Sequence, residues 1–207
     1  MIDLNPNDTY IEKYMVRIKE TLHKSLREYH RTMVLRVDLR LPDNSPYAKD
    51  PTLITRFMES LKSQKNADQL KKISFRKRIH HCRIRYIWVR EFNEKGKKHY
   101  HVALFLNKDA YAYPGSHKPD RSGRYRHNLS FMIMEAWIRT LYLNQEENYQ
   151  KYYPLVSFPK NRYAYLDILS STFLSDYKIV MNRLKYFAKE RSKDYSDGQR
   201  NFGCSQH

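Results

Sequence analysis

Residues 82–106 read CRIRYIWVREFNEKGKKHYHVALFL, and this stretch decides how the chain folds. Two runs rich in β-branched, aromatic and aliphatic residues, Cys82 to Glu91 and His99 to Leu106, flank a short polar connection, Phe92 to Lys98, with one glycine. That pattern predicts a β-hairpin whose loop is longer than two residues. On a strand, residues i and i+2 point the same way, so the imidazoles of His99 and His101 leave one face about 7 Å apart along the chain. Glu91 ends the first strand, across the hairpin from His99. Two imidazoles and a carboxylate, without cysteine, suit Mg²⁺ or Mn²⁺ with open positions for substrate oxygens. Asp38, on the polar side of another strand, and Glu94, in the turn, compete with Glu91 for the place of third ligand.

Upstream, Met33, Leu35, Val37, Leu39 and Leu41 alternate with residues that include Arg36, Asp38 and Arg40. Strict alternation over nine residues predicts a half-buried strand. Asp8 to His30 carries Ile11, Tyr14, Met15, Ile18, Leu22 and Leu26 at helical spacing, and a second helix is expected from Pro51, with proline in its first turn, to about Asn66. Downstream, 107–127 holds Pro114, Gly115, Pro119 and Gly123 among many charges and is expected to be a mobile loop. Helical spacing returns over Leu129 to Leu143, a strand is expected over Tyr152 to Phe158, and a long helix over Ser171 to Arg191. The fold class is therefore α+β: a central, mainly antiparallel sheet with flanking helices and an extra N-terminal helix. The expected division is a helical extension over 1–31, one main domain over 32–191 and a polar, frayed tail over 192–207.

The charge balance narrows the partner. With 39 Lys and Arg against 22 Asp and Glu, the 207-residue chain carries a formal net charge of +17. Such an excess calls for a polyanion, and nucleic acid is the first choice because each cation set against a phosphate releases counterions. Eighteen tyrosines interleaved with the basic residues suit a surface where bases stack. There is no apolar run long enough to span a bilayer and no signal-like N-terminus, so no membrane partner and a cytoplasmic location are expected. Cys82 and Cys204 form neither a disulfide framework nor a zinc signature. Arg36, Arg40, Arg83 and Arg85 on predicted strands, and Lys118, Arg121 and Arg124 in the loop, are candidate DNA-binding residues.

Tyr186 and Lys189, three residues apart on the last predicted helix, can touch. A phenolate can attack phosphorus, and a neighbouring lysine can stabilise the charge. The helical wheel adds a difficulty: Phe173, Tyr177, Val180, Met181, Leu184 and Ala188 share one face, and Tyr186 lies nearly opposite, beside Asn182 and Lys189. If that stripe packs on the sheet, Tyr186 points away from the histidines, so the helix must pack its stripe on other helices, or bend or rotate near its end.

Taken in order, strand, Glu91, turn, His99-Tyr100-His101, strand and a late Tyr186-x-x-Lys189 resemble the HUH (His–hydrophobe–His) endonucleases. The chain is most similar to replication-initiator-like proteins of filamentous phages (inoviruses) and prophage elements, over Met33 to Lys193. The resemblance implies a ferredoxin- or RRM-like sheet and Mg²⁺- or Mn²⁺-dependent nicking of single-stranded DNA at a replication origin in a bacterial host cell. It also implies a 5′-phosphotyrosine intermediate, with the host helicase and polymerase as later partners. By position, Glu91, His99 and His101 would hold the metal, Tyr186 would be the nucleophile and Lys189 its helper. Two departures stand out: Tyr100 is less apolar than the usual middle residue, and Asn182 replaces a second tyrosine. A non-catalytic DNA-binding or regulatory protein of a prophage, and a single-tyrosine transposase or relaxase, are the alternatives.

Overall fold

In the computed structural model, residues 8–76, 78–191 and 193–206 are described, and the expected hairpin forms the middle of one sheet. Strands β1 (Arg31–Arg40), β2 (Arg85–Phe92) and β3 (Lys98–Asn107) carry the core. β2 and β3 pair antiparallel with Glu91 opposite His99, and β1 pairs with the other edge of β3, with Asp38 opposite His101. The hairpin turn is held by Asn93 Oδ1, which accepts from the Lys95 and Lys97 amides, and Gly96 supplies the left-handed φ of +70° that closes it. Two short strands, β4 (Val156–Ser157) and β5 (Tyr163–Asp167), share the outer edge of β1, and β6 (Phe202–Cys204) lines the outer edge of β2. The strand order is β4-β1-β3-β2-β6, with every named pairing antiparallel.

Alternation along the strands splits the core in two. Met33, Leu35, Val37 and Leu39 lie with Tyr100, Val102 and Leu104 beneath helices α2 (Leu53–Ser74) and α3 (Leu129–Thr140). On the opposite face, Val34, Ile87, Val89, Ala103 and Phe105 pack under α1 (Glu12–Glu28) and α4 (Phe173–Lys185). β1 is thus covered on both faces over Thr32 to Leu35, and alternates as a half-buried strand from Arg36 to Arg40. Its second face is apolar only at Val34 and turns polar through Arg36, Asp38 and Arg40. The two flanking helices therefore seal one end of that face, and the polar end is left to build a site.

Several elements depart from the sequence expectation. α2 continues past Asn66 to Ser74, because its polar stretch is bonded rather than frayed: Lys65 donates to Gln69, Lys72 pairs with Asp68, and Asp68 accepts from the Tyr111 hydroxyl. The strand expected over 152–158 is mostly a 3-10 turn, Tyr149–Leu155, containing Pro154, whose missing N–H cannot serve a ladder; only Val156 and Ser157 pair. β5 was not anticipated. The 108–127 stretch has no regular element, yet it folds on defined bonds, with Asp120 accepting from the Ser122 and Arg124 amides.

The tail differs most. Instead of fraying, it delivers β6 and a set of acceptors for Arg90. That guanidinium is 1 % exposed and donates to Asp197, to Gln199, to the Asn201 side chain and to the Asp194 carbonyl. A buried cation needs such acceptors, and they lie more than a hundred residues downstream. Gly203 sits against the Trp88 ring, where an added Cβ would lie 2.6 Å from the indole. Gly203→Ala is expected to cost about 1–3 kcal/mol as an overpacked contact, read as a lower urea midpoint. An unchanged midpoint would mean that β6 does not hold the indole as described.

Candidate functional site

The register of the hairpin brings three ligand groups together at the polar end of the α1/α4 face. One ligand atom each from Glu91, His99 and His101 lies within 4.8 Å of the others. His101 Nε2 is 3.1 Å from Glu91 Oε2, and His99 Nε2 is 4.0 Å from the same oxygen. The other ring nitrogens are turned outward: His101 Nδ1 lies 2.6 Å from Asp38 Oδ1, and His99 Nδ1 lies 3.5 Å from the Lys97 carbonyl. Metal-binding histidines are commonly oriented in this way, with the distal N–H on a carboxylate or carbonyl. Asp38 therefore stands behind His101 rather than among the ligand atoms, and Glu94 is exposed in the turn. The oxygen and nitrogen donors, all convergent and mostly buried, fit a small divalent cation.

The electrostatics follow from burial and pairing. Burial alone would raise the Glu91 carboxyl, but the His101 hydrogen bond and the Lys193 ammonium, 2.8 Å from Oε1, outweigh it and hold the group far below the usual carboxylate range. Burial would also lower the His101 imidazolium, yet Asp38 and Glu91 on its two nitrogens raise it. His99 is lowered, by burial and then by its neighbour His101. The site thus keeps a charged carboxylate ready for a cation across the neutral pH range.

Tyr186 reaches this cluster from the C-terminal end of α4. The α-helix ends at Lys185, and Tyr186–Ala188 form a 3-10 turn. Lys185 and Tyr186 keep right-handed helical dihedrals, so the phenol leaves from the regular end of the helix. Phe187 and Ala188 then enter the core, while Tyr186 faces the sheet. Its hydroxyl donates to Glu91 Oε2 at 3.2 Å and lies 3.4 Å from His101 Nε2. Burial first, and the Glu91 charge second, push its phenol up to about 12. The Arg36 guanidinium lies over the ring, 4.7 Å from the centroid, and its Nε donates to Asp38. Lys189 Nζ is 5.1 Å from the same centroid and forms a buried ion pair with Asp8 at 2.7 Å.

Comparison with known proteins places this arrangement in a family. Residues 3–205 match the YagK/YfjJ C-terminal domain. The chain belongs to that family. Its relatives include YagK of Escherichia coli (strain K12), 37% identical over 205 residues that cover 95% of this chain and 94% of the relative. A second is YfjJ of the same strain, 33% identical over 209 residues covering 95% of each chain. Both bear the description "uncharacterized protein". No solved structure matches the chain. Membership of the YagK/YfjJ family thus runs through the N-terminal helix and the C-terminal segment as well as the sheet.

The remaining sequence candidates separate. Arg36 joins the site, and Arg40, opposite His99, is exposed at its edge. Arg83 is exposed, but Arg85 is buried against α1, paired with Glu28 at 2.5 Å, and so does not present its charge at the surface. The reason is the pleat: Arg85 shares the inward face with Ile87 and Val89, beneath α1. Lys118, Arg121 and Arg124 are exposed on the segment after β3. Sequence reasoning missed Lys193 and Asp8. Neither has a local signal; each is specified only by the buried charge it meets. Asp38→Asn should weaken Mn²⁺ binding by about 10–100-fold through loss of the partner that orients His101. Isothermal titration checks this, and an unchanged affinity would place Asp38 outside the metal-binding machinery.

Proposed function

We propose that the protein is a metal-dependent endonuclease that nicks single-stranded DNA through Tyr186 and thereby starts rolling-circle replication of a phage or other mobile element. One observation carries the reading: the only tyrosine of the Tyr186-x-x-Lys189 pair has its hydroxyl within hydrogen-bonding reach of both Glu91 and His101. The strand order β4-β1-β3-β2, with α2 and α3 on one face, supports a ferredoxin- or RRM-like sheet of HUH type. The net charge of +17 supports a DNA partner.

In this reading Glu91, His99 and His101 would hold Mg²⁺ or Mn²⁺, which would supply Lewis-acid polarisation of the scissile phosphate. Tyr186 gives up its phenolic proton to solvent water, and its oxygen attacks phosphorus. The bond from phosphorus to the 3′ oxygen breaks, that oxygen takes a proton, and a 5′-phosphotyrosine link and a free 3′-hydroxyl remain. Arg36 and Lys189 against the ring favour the phenolate that burial disfavours. The 3′-hydroxyl is then available to the host polymerase, with a helicase opening the duplex, in the cytoplasm of a bacterial cell.

With labelled single-stranded origin DNA and Mn²⁺, wild type should form a covalent adduct on a denaturing gel. EDTA and Tyr186→Phe should each abolish it. Adduct formation by the Phe variant would remove Tyr186 from the chemistry. Binding without adduct or cleavage across several origin fragments would favour a non-catalytic regulatory protein. Strand joining without replication initiation would favour a transposase or relaxase.

A further inference from the structure

Tyr186 has a second neighbourhood. On its β1 and β5 side a cleft of about 720 Å³ opens between α4 and the sheet edge, and Tyr186 forms part of its lining. Such a volume is within the roughly 300–1,000 Å³ typical of ligand sites. The floor and inner wall are apolar, from Val34, Ala103 and Ala164 on the sheet and Val180 and Leu184 on α4. Lys160, Arg162 and Arg183 line it as well, and Arg183 donates across to the Asn161 carbonyl at 3.3 Å. Among the described residues, the only acid lining the cleft is Asp38, which is engaged by Arg36 and His101.

Arg162 engages its guanidinium outside the cleft, with Nη2 donating to the Gly115 carbonyl at 3.4 Å beside the rings of Phe158 and Tyr163, so the cationic rim is Lys160 and Arg183. Ile179, half exposed, adds an apolar wall on α4. An apolar floor beneath a cationic rim complements an unpaired nucleotide, with its base against the floor and its phosphate on the rim. A stacked duplex hides its base faces and offers only the phosphates.

We propose that this cleft seats an unpaired DNA base next to the phosphate attacked at Tyr186, so that its lining selects the sequence that is nicked. The choice of DNA rests on the nicking reading above; the cleft, its charge and its apolar floor do not.

The test measures binding without catalysis. Fluorescence anisotropy of the full chain in EDTA compares a labelled single strand with an abasic strand of the same length. Lys160→Ala/Arg183→Ala should bind the single strand about tenfold more weakly, and its salt slope should be shallower by about 1.4, for two lost phosphates on a single strand. Ile179→Glu, which keeps every cation, should also weaken binding, and wild type should prefer the base-bearing strand. Arg76→Ala/Arg78→Ala, an equal loss of charge on exposed residues beyond α2, should change affinity little. Wild-type affinity in both cleft variants, or equal affinity for the abasic strand, would overturn the proposal. Cleft-dependent binding with no adduct under any condition would remove the nicking reading and leave this site standing. Adduct formation with unchanged affinity in the cleft variants would do the reverse.

Discussion

The antiparallel register of β2 and β3, which sets Glu91 opposite His99, is the constraint on which the site depends. Side chains alternate between the faces of a strand, so a slip of one residue would move Glu91 to the α2/α3 face and separate it from both imidazoles. The register is fixed from two directions. The hairpin turn is held by Asn93 and closed by Gly96, and the apolar residues of both strands are buried on both sides. Moving any strand would bring charged groups into two cores at once.

Gathering charges at the end of a buried face has a cost, and the chain offsets it by pairing. Glu91 meets Lys193, Asp38 meets Arg36 and His101, and Lys189 meets Asp8. On the opposite face, Arg90 meets the acceptors of the C-terminal segment. These pairs have a common pattern: one partner comes from the sheet or the end of α4, and several others come from the chain's two extremities. The terminal segments thus complete the electrostatics of the sheet rather than decorate it. Buried pairs of this kind add little net stability, but removing either partner is expensive, so they tie the position of Lys193 and Asp8 to the integrity of the site.

The end of α4 is the other decisive feature. Helical dihedrals run through Tyr186, and the stripe of Val180, Met181 and Leu184 shares a core with Val34, Ala103 and Phe105. The 3-10 turn that follows carries Phe187 and Ala188 into the core, while the Tyr186 hydroxyl reaches the carboxylate and imidazole. Ala188 and Lys189 are also bonded to the start of the N-terminal helix, through the Ile11 amide and the Tyr10 bridge. The helix extension thus pins the turn that carries the phenol.

The sequence by itself determined the α+β class, the central hairpin, the face shared by His99 and His101, and Glu91 as their neighbour across the turn. These are local matters: strand periodicity, a glycine turn and hairpin register act over a few residues and leave a readable pattern. The helical wheel set Tyr186 opposite the apolar stripe, and the structure nevertheless brings its hydroxyl to Glu91 and His101. Only the tertiary structure decided the rest. It assigned Asp38 to the far side of His101, buried Arg85 against Glu28, and brought Lys193 and Asp8 to the buried charges. It also made β5 and β6 from short segments with weak strand patterns, because the exposed edges of β1 and β2 supply the pairing that their own sequences do not specify. Contacts between residues a hundred positions apart are selected by desolvation and pairing in three dimensions, and those forces leave no periodic trace along the chain.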